Sequence, residues 1–240
     1  MGQTVQFTRP DGQTVNGYLA EPVADPATEP KNAKSAPGIV VIQEWWGLND
    51  QIRGVADTLA AKGYRALVPD LYRGKSTVQA EEANHLMTNL DFGDAAGQDV
   101  RGAVQYLKAT GSAKAGVTGF CMGGALTLLA AVHVPEVDAA VVWYGYPPLE
   151  YVDAAKISAP LQGHFANQDE FFKIDGVDAL ENKLMAAKVT FDFHRYDAQH
   201  AFANETQVEG AKLLPVLGYD AAAAKLAWQR TDAFFAEHLG

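Results

Sequence analysis

From Gly38 to Tyr196 the chain alternates short, continuously apolar runs with longer stretches in which apolar residues recur every three or four positions. A short unbroken apolar run suits a strand covered on both faces, whereas the wider spacing suits a helix with one buried stripe. The strands predicted in this way are GIVVIQ (Gly38–Gln43), YRALVP (Tyr64–Pro69), AGVTGF (Ala115–Phe120), DAAVVWYG (Asp138–Gly145), APLQGHF (Ala159–Phe165) and KVTFDFHRY (Lys188–Tyr196). Helices are predicted over Asp50–Ala61, Glu81–Thr88, Asp94–Lys108, Ala125–Val132, Asp178–Ala187 and Asp220–His238. The last of these is expected to present Leu226, Ala227, Phe234 and Phe235 to a core. Strand and helix taking turns predicts an α/β fold built on a mainly parallel, doubly wound sheet.

Ahead of this unit, Val5 and Phe7 precede the turn dipeptide Asp11-Gly12, and Val15 and Tyr18 follow it, as in an antiparallel edge hairpin. Glu21–Pro37 carries four prolines among alanines and charges, the composition of an exposed connector. No internal repeat or boundary interrupts residues 1–240, so one domain is expected. Sheets of this kind bind ligands beyond the carboxyl ends of their strands, and the strand-to-helix loops are therefore where chemistry belongs.

Charge and cysteine content narrow the function classes. With 19 basic against 29 acidic residues the net charge is −10, and the basic residues are scattered, which argues against nucleic acid or an anionic membrane surface as partner. The apolar runs fall short of the ~20 residues a membrane helix needs, and MGQTVQFTRPDGQ has no basic and apolar leader pattern, so a cytoplasmic protein is expected. The single cysteine allows no intrachain disulfide and makes a Cys/His metal cage hard to assemble. No metal or cofactor is implied, and the oligomeric state is left open.

That one cysteine stands in a telling place. Gly119-Phe120-Cys121-Met122-Gly123-Gly124 follows a predicted strand and leads into an Ala- and Leu-rich helix, which makes it a nucleophile elbow with sulfur in place of oxygen. Glycine at the flanks keeps side chains out of the tight turn, and the helix end favours thiolate and offers free N–H groups to an oxyanion. A free cysteine is more often a small buried apolar residue, but the flanking glycines at a strand-to-helix junction weigh against that. The glycine spacing fits neither G-x-G-x-x-G nor a Lys-Ser/Thr phosphate loop.

On such a sheet the acid and then the histidine follow the nucleophile along the chain. Asn167-Gln168-Asp169-Glu170 succeeds the strand APLQGHF, and Asp197-Ala198-Gln199-His200 succeeds KVTFDFHRY. Asp169 is expected to orient His200, and His200 to exchange protons with Cys121. His85, His133, His164, His194 and His238 read as surface, capping or structural residues, Asp175 and Asp197 are nearby rivals to Asp169, and Asp70 reads as bracing a loop. At the end of the first parallel strand, Gln43-Glu44-Trp45-Trp46-Gly47 sets a carboxylate beside two tryptophans, a composition that suits a pocket wall. This loop supplies the second oxyanion donor in folds of this kind, so the backbone amides of Trp45 and Met122 are the expected pair, with Glu44 directed toward the nucleophile.

QEWWGLN, PDLYRG, GFCMGG, NQDE and QHAFAN, in this order and at these separations, resemble the dienelactone hydrolase family, and the similarity runs from about Val5 to the final helix. The resemblance implies a three-layer α/β-hydrolase fold and a Cys121-His200-Asp169 triad. It also implies that Glu44 holds the resting thiol protonated and swings aside when substrate arrives. Family members that open dienelactone carry arginines that pair with the substrate carboxylate. One lies four residues after the histidine, where this chain has Asn204, and the other in the helix after PDLYRG, where QAEEANH offers Glu81 and Glu82. The physiological substrate is thus left open, with Arg73 as a remaining candidate anion contact.

The reading that follows is a hydrolase of lactones or small activated esters acting on a small-molecule substrate through an acyl-enzyme. Trp46, Tyr144, Phe202 and Asn204 are expected as pocket residues. The rivals are an esterase or thioesterase, a binding protein that keeps the fold without turnover, and a glutamine amidotransferase. The last needs an H-x-E pair, and no histidine here has Glu two residues on.

Overall fold

The computed structural model describes residues 2–22, 35–208 and 212–240, so most of the connector expected at Glu21–Pro37 lies outside the described residues. The strands are β1 (Gln3–Thr8), β2 (Thr14–Ala20), β3 (Gly38–Ile42), β4 (Arg65–Pro69), β5 (Ala115–Phe120), β6 (Ala139–Trp143), β7 (Leu161–Ala166) and β8 (Phe191–Tyr196). They form one sheet in the order β1-β2-β4-β3-β5-β6-β7-β8. β1 pairs antiparallel with β2, and β2 antiparallel with β4. Every pairing from β4 to β8 is parallel. All residues of β3 through β7 are buried, as their unbroken apolar runs require of strands covered on both faces.

The helices are α1 (Asp50–Ala61), α2 (Ala80–Thr88), α3 (Phe92–Asp94), α4 (Arg101–Ala109), α5 (Met122–His133), α6 (Ile174–Ala186) and α7 (Ala221–Leu239). Alternate residues of each strand feed one of two cores. Val40 and Ile42 meet Val104 and Leu107 of α4 and Leu126 of α5 on one face, with Leu180 of α6 in the same core. Ile39 and Val41 share the opposite core with Leu59 of α1 and Phe235 of α7. The three layers of the α/β-hydrolase architecture follow directly. The chain enters the parallel region at β3, steps outward to β4, and returns across β3 to β5, and a crevice opens at that reversal.

Three differences from the sequence-based expectation have physical causes. The helix expected over Asp94–Lys108 consists of α3 and α4 joined by a π-helical turn, Ala95–Val100. Within that turn Asp99 is buried and accepts hydrogen bonds from Arg9, at 3.3 Å, and Arg73, at 2.8 Å. α5 begins at Met122 rather than Ala125, because the paired glycines are needed for close packing and not for a loop. On α7, Ala227, Phe234 and Phe235 are buried but Leu226 is 42% exposed. The correction at Leu226 is a matter of helical phase, since a neighbour one position away lies about 100° round the helix.

Candidate active site

Cys121 is the single residue between the end of β5 and the start of α5. Its backbone is held at φ 56°, ψ −116°, a conformation that costs a side-chain-bearing residue of order 1–3 kcal/mol and persists only where the surroundings enforce it. Here its N–H donates to the Trp143 carbonyl at 3.0 Å, and its own carbonyl accepts from the Gly124 N–H at 2.9 Å and the Ala125 N–H at 3.2 Å. The neighbouring backbones leave no room for side chains. A Cβ on Gly123 would sit 2.4 Å from the Ile42 oxygen, and one on Gly145 would sit 2.0 Å from the Cys121 oxygen. The ends of β3 and β6 thereby clamp the elbow and turn the thiol toward a cavity of about 210 Å³.

His200 lies in the loop after β8 and Asp169 in the loop after β7, and both side chains are buried. His200 Nδ1 stands 2.7 Å from Asp169 Oδ2. A carboxylate only accepts, so Nδ1 carries the proton and Nε2 is left for the thiol. Asp169 is itself fixed, because its other oxygen accepts from the backbone N–H groups of Phe171 at 2.8 Å and Phe172 at 2.9 Å. The ring packs against Phe172, stacked at 5.6 Å, and against Tyr144, edge-on at 5.1 Å. Burial by itself favours the neutral imidazole. The charge of the Cys121 sulfur, together with hydrogen bonds to Asp169 and Cys121, outweighs it and carries His200 from 6.5 up to about 10.

Of the rival groups, His164 is fully buried within β7 and hydrogen-bonded to Tyr196, Gln162 and Thr231. Asp197 accepts from the Gln168 side chain at 2.7 Å, away from His200. Asp175 is in the first turn of α6. Asp70 accepts from the Gly74 N–H at 2.6 Å and so braces the loop that follows β4. Arg73 donates to the Asp70 carbonyl and to both oxygens of Asp99.

Glu44 is 4% exposed, yet it faces the same cavity as Cys121 and His200. Asn204 Nδ2 donates to its Oε2 at 2.8 Å and the Tyr144 hydroxyl to its Oε1 at 3.3 Å. The Asn204 amide has a settled orientation, since its oxygen accepts from both the N–H and the hydroxyl of Thr206, at 3.0 and 2.7 Å. Burial raises the Glu44 carboxyl above its ordinary value, and the charge of His200 and these donors only partly offset that. Tyr144 holds a positive φ of 35° while its N–H donates to the His164 carbonyl at 2.8 Å. Among the described residues, the backbone amides of Trp45 and Met122 have no acceptor in the protein.

The cavity walls are mostly apolar. Trp45 reaches it from the loop after β3, Met87 from α2, Met122 from α5, and Phe171 and Phe172 from the Asp169 loop, with Leu217 closing the far end of the His200 loop. Four residues expected at the pocket do not line it: Trp46, Tyr144, Phe202 and Asn204 are all buried behind the wall. Trp46, Tyr144 and Phe202 belong to the core, and Tyr144 and Asn204 are hydrogen-bonded to Glu44. Met87, Phe171, Phe172 and Leu217 were not among the expected residues. The phenylalanines directly follow the Asp169-Glu170 pair and were within reach of sequence reasoning, while nothing local marks Met87 or Leu217. Among the described residues, no helix is long and apolar enough to cross a membrane, and no group of three or more His, Cys, Asp or Glu is placed to hold a metal.

Residues 24–239 match the model of the dienelactone hydrolase family. The chain is 34% identical over 249 residues to Protein usf of Aquifex pyrophilus and 31% identical over 249 residues to the "Putative carboxymethylenebutenolidase" of Aquifex aeolicus, with the full length of both chains aligned in each case. Among solved structures, the "Putative Dienelactone Hydrolase" of Klebsiella pneumoniae has a TM-score of 0.79 at 28% identity, covering 99% of each chain. The dienelactone hydrolase-like phosphotriesterase P91 from metagenomic libraries has a TM-score of 0.83 at 24% identity, covering 100% of this chain and 99% of that one, a likeness of fold.

Proposed function

Because this chain belongs to the dienelactone hydrolase family and is thereby a hydrolase of carboxylic ester bonds, we propose that its single domain opens lactones or small activated esters through a Cys121 acyl-enzyme. One observation carries the reading. A cysteine strained at positive φ shares a cavity with a histidine whose far nitrogen is 2.7 Å from a buried, doubly anchored carboxylate. That is a nucleophile, a base and an orienter in working sequence.

In the reacting state the thiol proton is carried by His200, whose raised value suits it to hold that proton while the sulfur attacks. The sulfur attacks the carbonyl carbon, and the oxygen that gains the electron pair is held by the Trp45 and Met122 amides, which have no competing acceptor among the described residues. As the C–O bond breaks, His200 gives its proton to the leaving oxygen. The neutral imidazole then takes a proton from water, the hydroxyl adds to the thioester, and collapse expels the Cys121 thiolate beside a re-formed imidazolium. Asp169 keeps the ring in one tautomer throughout. Glu44, a buried carboxyl group facing the same cavity as the sulfur, is assigned the restraint of the resting thiol.

The test is hydrolysis of 4-nitrophenyl acetate. Sustained release of nitrophenol is expected, falling by about three orders of magnitude or more in Cys121→Ala and in His200→Ala while both variants stay folded. A stoichiometric burst without turnover, or activity that survives Cys121→Ala, overturns the proposal.

A further inference from the structure

The cavity that holds Cys121 has a one-sided chemistry. Among the described residues its titratable side chains are those of Cys121, His200 and Glu44, and no lysine or arginine reaches it. Arg73, the candidate anion contact, is committed to Asp99 and to the Asp70 carbonyl and lines a separate groove with His85 and Asn89. Asn204 points its NH₂ group at Glu44 and is locked in that orientation by Thr206, so it is not free to receive a ligand carboxylate. An anion entering this space would shed water, meet no lysine or arginine among the described residues, find the His200 ring already held by Asp169, and lie against a buried carboxyl group.

Resting on the reading of Cys121 as nucleophile, we propose that the substrates are uncharged esters or lactones with apolar groups on both sides of the scissile bond, and that the site excludes those carrying a carboxylate near it. The acyl side meets Trp45, Met87 and Met122. The leaving oxygen must approach His200, whose ring is flanked by Phe171 at 5.0 Å and Phe172 at 5.6 Å, so the leaving group packs against two aromatic rings. Phe171 is 48% exposed and is the wall residue that meets solvent at the mouth. Selection is therefore by absence of charge and by fit to an apolar chamber, where a carboxylate-reading site would use a guanidinium fork.

Two measurements separate this inference from the mechanism beneath it. The first compares 4-nitrophenyl butyrate with the 4-nitrophenyl monoester of glutaric acid, which carries a terminal carboxylate on a similar acyl chain. The expected kcat/KM is at least a hundredfold higher for the butyrate, with the gap narrowing in Met87→Arg. The second uses the fact that Cys121 is the only cysteine. Neutral iodoacetamide should alkylate it at least tenfold faster relative to anionic iodoacetate than it does free N-acetylcysteine. Equal handling of the two esters, or a normalised alkylation ratio near one, overturns the exclusion of anions. Selective alkylation without turnover of either ester keeps the neutral chamber and overturns the acyl-enzyme instead.

Discussion

Glu44 is the residue whose environment is most at odds with its chemistry. A carboxylate that is 4% exposed loses most of its hydration, and the donors on its two oxygens, Asn204 and Tyr144, are neutral. Neutral donors solvate the charge without cancelling it, so its field still reaches the sulfur in the shared cavity. Removing that field should make the thiol more reactive. Iodoacetamide labelling at neutral pH is expected to be at least severalfold faster in Glu44→Ala, and faster also in Glu44→Gln, which keeps the shape and removes only the charge. Labelling that speeds up in Ala but not in Gln would assign the effect to space rather than charge, and no change in either would take Glu44 out of thiol control. His200 contributes the opposite limb of the pH response. Its raised folded value means that the imidazolium is retained through neutrality, and the alkaline loss of kcat/KM should centre near pH 10. A limb near 6.5 would show that the thiolate pairing does not form.

At the scale of elements, the site is a product of how closely β3, β5, β6 and α5 approach one another. Cys121, Asp169, His200 and Glu44 are legible because each follows a predicted strand within four residues, and a strand that ends at a sheet's carboxyl edge delivers the next residues to the crevice. Loops carry no such period. Of two adjacent tryptophans, Trp45 lines the cavity and Trp46 is core, and nothing in the spacing of QEWWG separates them. Met87 is in a similar position, since the pattern of α2 marks an apolar face but not which neighbour that face meets. Gly145 shows the same limit from the backbone side. It follows Tyr144 in what reads as a strand end, yet its α-carbon is pressed against the Cys121 carbonyl. The Gly145→Ala substitution puts a methyl 2.0 Å from that oxygen and 3.1 Å from the Ala125 nitrogen, both backbone atoms, so the elbow must move. A stability loss of about 1–3 kcal/mol by urea unfolding is expected, with a disproportionate fall in ester turnover. Wild-type values for both would show that the elbow tolerates displacement.

Across the whole molecule, the far edge of the sheet is tied to the covering helix through an uncharged histidine. His164 on β7 bonds to the Tyr196 hydroxyl of β8 and the Thr231 hydroxyl of α7, both at 2.9 Å, and packs on Trp143 of β6 at 4.5 Å. Burial holds it well below its ordinary 6.5, and two neighbours reinforce this: His194, stacked on it at 5.5 Å, and Arg230, which donates to Tyr196. Asp192 is the nearby anion on this edge, and it pairs with His194 at 2.9 Å rather than with His164. The unfolded chain protonates this histidine near its ordinary value while the folded chain does not, so the unfolded state binds more protons once the pH drops below about 6.5. The stability this group supplies is complete above that pH and is lost as the pH falls, by up to about 1.4 kcal/mol per unit. His200 has the reverse sign: its contribution is complete below 6.5 and declines toward its folded value of about 10. Stability should therefore be greatest near neutrality. In urea unfolding between pH 7 and 5 the midpoint of the wild-type protein should fall, and His164→Gln, which keeps hydrogen-bonding groups but takes up no proton, should show a flatter decline from a lower starting value. Parallel slopes in the two proteins would mean that acid sensitivity arises elsewhere and that the β7–α7 contact does not set it.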